Sequence, residues 1–138
     1  MSVAAARWGT WLTTATRLSW RAGVSATTLD EDTSDQMHVR VKALVAALFE
    51  RNGIGPEDVI SVVLTATPDL HRAFPATAAR AAGLDDVPLL GAQELDVEGS
   101  LKRCVRVMMH IETDRPRADL QHVFLEGAVR LRPDLAHG

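Results

Sequence analysis

The segment Val62-Val63-Leu64-Thr65-Ala66-Thr67-Pro68-Asp69-Leu70-His71-Arg72-Ala73-Phe74-Pro75 changes character twice. Its β-branched and aliphatic start reads as a buried strand. The strand ends at Thr67-Pro68, because a residue before proline is pushed out of the α region. Pro75 then suits the first turn of a helix that Ala76 to Ala82 would continue. A strand, a polar turn and a helix start commonly build a binding pocket. Read alone, the same order is an ordinary strand–loop–helix connection.

Upstream, Met37, Val41, Leu44, Val45 and Leu48 recur at helical spacing and predict one apolar helix face. Asp30-Glu31-Asp32 is an acidic approach to that helix, and Thr33 with Gln36 fits a capping box. Asn52-Gly53 ends it, since glycine tolerates the left-handed position past a helix. Pro56-Glu57-Asp58 turns the chain into the strand. Downstream, Val87–Leu90 predicts a short strand and Glu98-Gly99-Ser100 a turn. Leu101–Glu112 predicts the longest strand, with Val105, Val107, Met109 and Ile111 alternating against Cys104, Arg106, Met108 and His110. Gln121–Val129 is expected to be the last strand, followed by an irregular tail from Arg132-Pro133-Asp134. With a first strand over Val24–Thr28, the order is β-α-β-α-β-β-β, a mixed α/β plan.

The length of 138 residues suits one core. A net charge of −3 gives no electrostatic reason to expect nucleic acid. The lone Cys104 excludes an intrachain disulfide framework and suits a reducing, cytoplasmic compartment. No apolar run approaches the roughly 20 residues of a membrane span. Residues 1–22 stand apart as an N-terminal extension to a domain over 23–138. They hold Trp8, Trp11 and Trp20, with Arg7, Arg17 and Arg21 as their only charges. Trp8, Trp11, Leu12, Ala15 and Leu18 would share one helical face. Docking on the domain, a disordered or misassigned start, and attachment to an anionic membrane surface are the alternatives.

Arg106 sits in a strand otherwise rich in Val and Met. A guanidinium stays charged at any useful pH, so it needs acceptor partners wherever it is buried. By itself Arg106 reads as a structural ion pair, and Glu94 as a solvated acid. The five histidines and Cys104 show no metal-ligand spacing such as H-x-x-x-H or C-x-x-C.

Three motifs in order, "LTATPDLHRAFPATAAR", "VPLLGAQELDVEGSLKRCVRVMMHIETDRP" and "HVFLEGAVRLRPDL", resemble the monofunctional AroH-type chorismate mutases from about Ala26 to Leu135. The resemblance implies a pseudo-α/β-barrel homotrimer, active sites between subunits, no cofactor, and a small dicarboxylate substrate. It implies that Arg106 contacts the substrate's ether oxygen and a carboxylate, and that Glu94 binds its hydroxyl. Phe74, with Ala76 nearby, matches an aromatic wall, and Arg80 a peripheral arginine. Leu131 and Arg132 match a C-terminal segment that folds over the site. Such an enzyme holds a compact conformer and stabilises charge as a C–O bond breaks, with no base or nucleophile.

The departures from the family fall in the pocket. Val24 stands where the family's first strand carries a carboxylate-binding arginine, and Phe124 where a tyrosine is usual. Gly91 stands where some members have cysteine, and Thr77 where some have lysine. Arg21, three residues from Val24, falls on the opposite strand face. The resemblance therefore implies a cofactor-free rearrangement of chorismate to prephenate. The departures also fit a different, secondary-metabolite substrate, or a weakly catalytic or non-catalytic trimeric binding module.

Overall fold

The structure is a computed structural model and describes residues 19–135. Strand β1 (Ser19–Thr28) is followed by helix α1 (Ser34–Asn52), strand β2 (Val59–Ala66), short helix α2 (Pro75–Ala79), strand β3 (Leu89–Gln93) and strand β4 (Cys104–Thr113). The four strands form one sheet in the order β1-β4-β2-β3. β4 pairs antiparallel with β1 and β2, while β2 and β3 are parallel.

Register assigns each residue to a face. Ala26, Arg106, Thr65 and Ala92 lie side by side across the sheet, and so do Val24, Met108, Val63 and Leu90. Alternation sends Val105, Val107, Met109 and Ile111 to the other side, where all four are buried. There α1 presents Met37, Val41, Leu44, Val45 and Leu48, which close the core together with Val62 and Leu64. Burying each such side chain is worth roughly 1.5–3 kcal/mol, so this stripe holds the helix in place.

The helix starts as its sequence directs, with the Thr33 hydroxyl accepting the Gln36 N–H at 3.1 Å. The Gln36 side chain does not return to Thr33. Its Oε1 accepts the N–H groups of Asp30 and Glu31, at 2.7 and 3.0 Å, and so braces the approach. Gly53 ends the helix at φ 61°. Pro75 opens α2, and the residue before it, Phe74, is extended. Gly83, at φ 110°, kinks the continuation of α2 before β3.

One expected element is absent. Gln121–Val129 is not a strand. It makes a single parallel bridge, Ala26 to Phe124, and then enters a 3-10 turn over Glu126–Leu131. Glu126 adopts φ 54°, which takes the chain out of the extended conformation there. The β3 strand also starts two residues later than expected and reaches Gln93. The helix expected in residues 1–22 lies mostly outside the described residues; Ser19–Ala22 are strand. Trp20 is therefore a strand residue, and it is exposed. No helix among the described residues is long and apolar enough to cross a membrane.

Candidate active site

Arg106 projects from the face of the sheet that α1 does not cover. Its neighbours in register, Ala26 and Thr65, are small and leave the guanidinium room. Glu94 follows β3 directly. Its N–H donates to the Ala66 carbonyl at 3.0 Å, which carries the β2–β3 pairing one residue further. Two residues beyond Ala92, its side chain returns to the Arg106 face. The guanidinium then donates from both Nε and Nη2 to the Glu94 carboxylate, the Nη2–Oε1 distance being 2.8 Å. This fork raises the Arg106 pKa, chiefly through the hydrogen bond to Glu94.

Val24 lies on the same face, two residues along β1 from Ala26. Its backbone N and O lie 3.1 and 3.2 Å from Nδ1 of His122. Phe124 packs with Ala26, Cys104 and Ala128, beside the Arg106 row. Burial pushes the neighbouring Cys104 thiol up to about 11. Arg132 is engaged by Asp134, with Nε–Oδ1 at 3.0 Å and Nη2–Oδ2 at 2.8 Å.

Phe74, Ala76, Arg80 and Gly91 gather elsewhere. They line an open groove of about 820 Å³ between the β2–β3 edge and the Thr67–Arg80 segment, and neither Arg106 nor Glu94 reaches it. Phe74 holds its ring outward, 78% exposed. One chain thus carries two partial sites. The first is a guanidinium–carboxylate pair on the open sheet face, and the second is a groove with an aromatic lip.

Reading the sequence did not single out the residues that hold these parts still. Asp32, read as an acid near a helix start, instead accepts the backbone N–H groups of His71 and Arg72 at 2.9 and 3.3 Å. Asp69 accepts the Arg103 N–H at 2.9 Å. Burial opposes the Asp69 charge, but hydrogen bonds from the Thr67 hydroxyl and the Arg103 backbone outweigh it and lower its pKa. Arg103 itself is held at φ 48° and donates from Nε to the Leu29 carbonyl. For Asp69, the turn signature Thr67-Pro68-Asp69 was a usable signal.

The arrangement offers donors for an acceptor oxygen beside an acceptor for a hydroxyl, at fixed spacing on a rigid sheet. The comparisons with known proteins agree with it. The family model for chorismate mutase type I matches residues 21–135. Chorismate mutase AroH of Bacillus subtilis is 47% identical over 112 residues, covering 80% of this chain and 88% of that protein. The Thermus thermophilus chorismate mutase AroH is 47% identical over 111 residues, covering 80% and 91%. A solved chorismate mutase from Clostridium thermocellum superposes with a TM-score of 0.76 at 42% identity, covering 78% of this chain and 96% of the other. With its family match spanning most of the chain and the same fold in a solved relative, this protein belongs to the type I chorismate mutases.

Proposed function

We propose that the protein rearranges chorismate to prephenate, as a homotrimer whose active sites form between copies. The observation that carries this reading is the Arg106–Glu94 fork on the open sheet face. The reaction is unimolecular, so the protein needs only to hold a compact conformer and to meet the charge that develops. Arg106 turns donors toward the ether oxygen, where negative charge grows as the bond breaks. Glu94 accepts from the ring hydroxyl and keeps the guanidinium in plane. One such preorganised donor is worth about 3–4 kcal/mol in the transition state. No cofactor is required for this step.

The second partial site supports the assembly. Phe74, Ala76, Arg80 and Gly91 line a groove that Arg106 and Glu94 of the same chain do not reach, so a neighbouring copy would supply them. Leu90 and Met108, on the open face, are 64% and 40% exposed, and an apolar surface of this kind suits burial by other copies. Leu131 and Arg132 would close over the ligand, with Arg132 exchanging Asp134 for a substrate carboxylate. A free, buried Cys104 suits a cytoplasmic setting.

A second reading follows from Val24 and Phe124. Neither can donate a hydrogen bond from its side chain, so a carboxylate entering there would meet an apolar wall. A relative of chorismate with less charge at that end would fit better. Incubation with chorismate, with the product identified by nuclear magnetic resonance, tests both readings. Prephenate formed at a rate far above the uncatalysed one is expected. Unchanged chorismate, or a protein that stays at 15 kDa in light scattering at micromolar concentration, would overturn the proposal.

A further inference from the structure

The 3-10 turn that leads to Leu131 and Arg132 begins at an energetically awkward place. Glu126 is a non-glycine residue at φ 54°, a conformation that persists only where its surroundings impose it. Gly127 follows, so close to β1 that an added Cβ would lie 2.9 Å from Oγ1 of Thr28. That same Oγ1 accepts the Gly127 N–H at 2.9 Å. A further restraint on the Glu126 side chain comes from α1. Arg40, only 18% exposed, forms an ion pair with the Glu126 carboxylate, Nη1 to Oε2 3.0 Å, and donates from Nη1 to the Thr28 carbonyl at 3.3 Å. Its Nη2 reaches Asp30 at 2.7 Å.

One guanidinium therefore ties the Thr28–Asp30 stretch, where β1 ends and the approach to α1 begins, to the entry of the C-terminal turn. A point charge on a flexible stem could not reproduce this fork. Further along, Ala128 is buried against Ala26, Cys104 and Phe124, and its N–H bonds the Leu125 carbonyl at 3.0 Å, so the middle of the turn is packed while its entry at Glu126 faces Arg40.

We infer that Arg40 is a positioning residue: it holds Glu126 in its left-handed conformation and thereby aims the Glu126–Leu131 turn, and with it Arg132, at the ligand. The kinetic part of this inference rests on the proposed chorismate mutase activity; the conformational part does not. Arg40 itself is placed to touch protein groups only.

The test uses the full chain and two readouts. The first is the rate of tryptic cleavage after Arg130 in the native protein; trypsin does not cut before a proline, so Arg132-Pro133 is silent. Arg40→Met is expected to speed this cleavage on the order of ten-fold, because a turn that opens more often is cut more often. Arg40→Lys is expected to recover part of the protection. Glu126→Gln should act in the same direction, and the double variant should add little to the larger single effect, since both remove one interaction. Asp32→Asn, which loosens the His71–Arg72 loop from the same junction, serves as a control and should leave cleavage after Arg130 unchanged. The second readout is kinetic. Arg40→Met is expected to raise KM for chorismate several-fold, roughly five to twenty, while kcat changes about two-fold or less, as for a contact that aims a binding residue. Cleavage at the parental rate in Arg40→Met, or equal acceleration by Asp32→Asn, would overturn the inference. So would an unchanged KM in a protein that turns chorismate over. If the parent protein shows no turnover, the proposed activity fails, and the cleavage rates alone decide the role of Arg40.

Discussion

The two faces of β4 are made by alternate residues of one strand, yet they have different fates. Val105, Val107, Met109 and Ile111 are sealed by α1, and the chain completes that face by itself. Arg106, Met108 and His110 look the other way, where none of the described residues covers them fully. The first face explains why the chain folds. The second carries the Arg106–Glu94 pair proposed for the chemistry and leaves apolar surface exposed. A single strand can therefore serve stability and function without compromise, because the pleat keeps the two sets of side chains apart.

The sharpest way to break this contrast is to place the same charge on each face in turn. Val107→Asp should abolish folding, since an unpaired buried carboxylate costs more than most small domains can absorb. Met108→Asp should leave a folded chain, by circular dichroism, that no longer assembles in light scattering. If both variants fold and assemble alike, the open face is not an interface.

A smaller effect is expected from Arg106→Ala. It should lower kcat by about two to three orders of magnitude with the fold intact, the usual consequence of losing one preorganised donor. Arg106→Lys should regain only part of this, as an ammonium cannot match the fork to Glu94. Equal activity in the alanine variant would mark the cation as structural and return the open face to packing alone.

Smaller again is the gain from restoring polarity. Val24→Arg with Phe124→Tyr should raise kcat/KM for chorismate on the order of ten-fold, about one charge-assisted hydrogen bond. A parent already as efficient as its doubly substituted variant would mean that another group binds the carboxylate.

The mildest effect concerns the loop beside the groove. Asp69 has a lowered pKa, so its contribution is fully present above the ordinary aspartate value near 3.9. It fades as pH falls through the lower folded value. Asp69→Asn should therefore be less stable than the parent at neutral pH, and the gap should close in strong acid. A gap that persists unchanged at low pH would assign the loss to something other than the charge.

What could be read in advance follows the range of each interaction. The α1 stripe, its Gly53 stop and the β4 alternation are written in neighbouring residues, and each was legible. The segment "HVFLEGAV" has the composition of a strand, but pairing needs a straight partner over several residues. Glu126 and Gly127 turn away after one bridge because Thr28 and Arg40 hold them, and that is not visible locally. The same holds for the site. Arg106 and Glu94 were legible through the family motifs that contain them. Arg40 and Asp32 act through partners that no local pattern announces, and for Asp69 the turn signature marks the residue but not its contact with Arg103.

The sheet order has a consequence in time. Among the described residues β1 is the first strand, yet its one full partner there is β4, the last. During synthesis β1 leaves the ribosome long before Cys104–Thr113, the strand it pairs with. Neither the β1–β4 ladder nor the Arg106 row that spans it can exist on a partial chain. High sequence separation of this kind slows folding and exposes strand edges meanwhile. Closure of the sheet therefore waits for β4, and its two faces come into being together when that strand arrives.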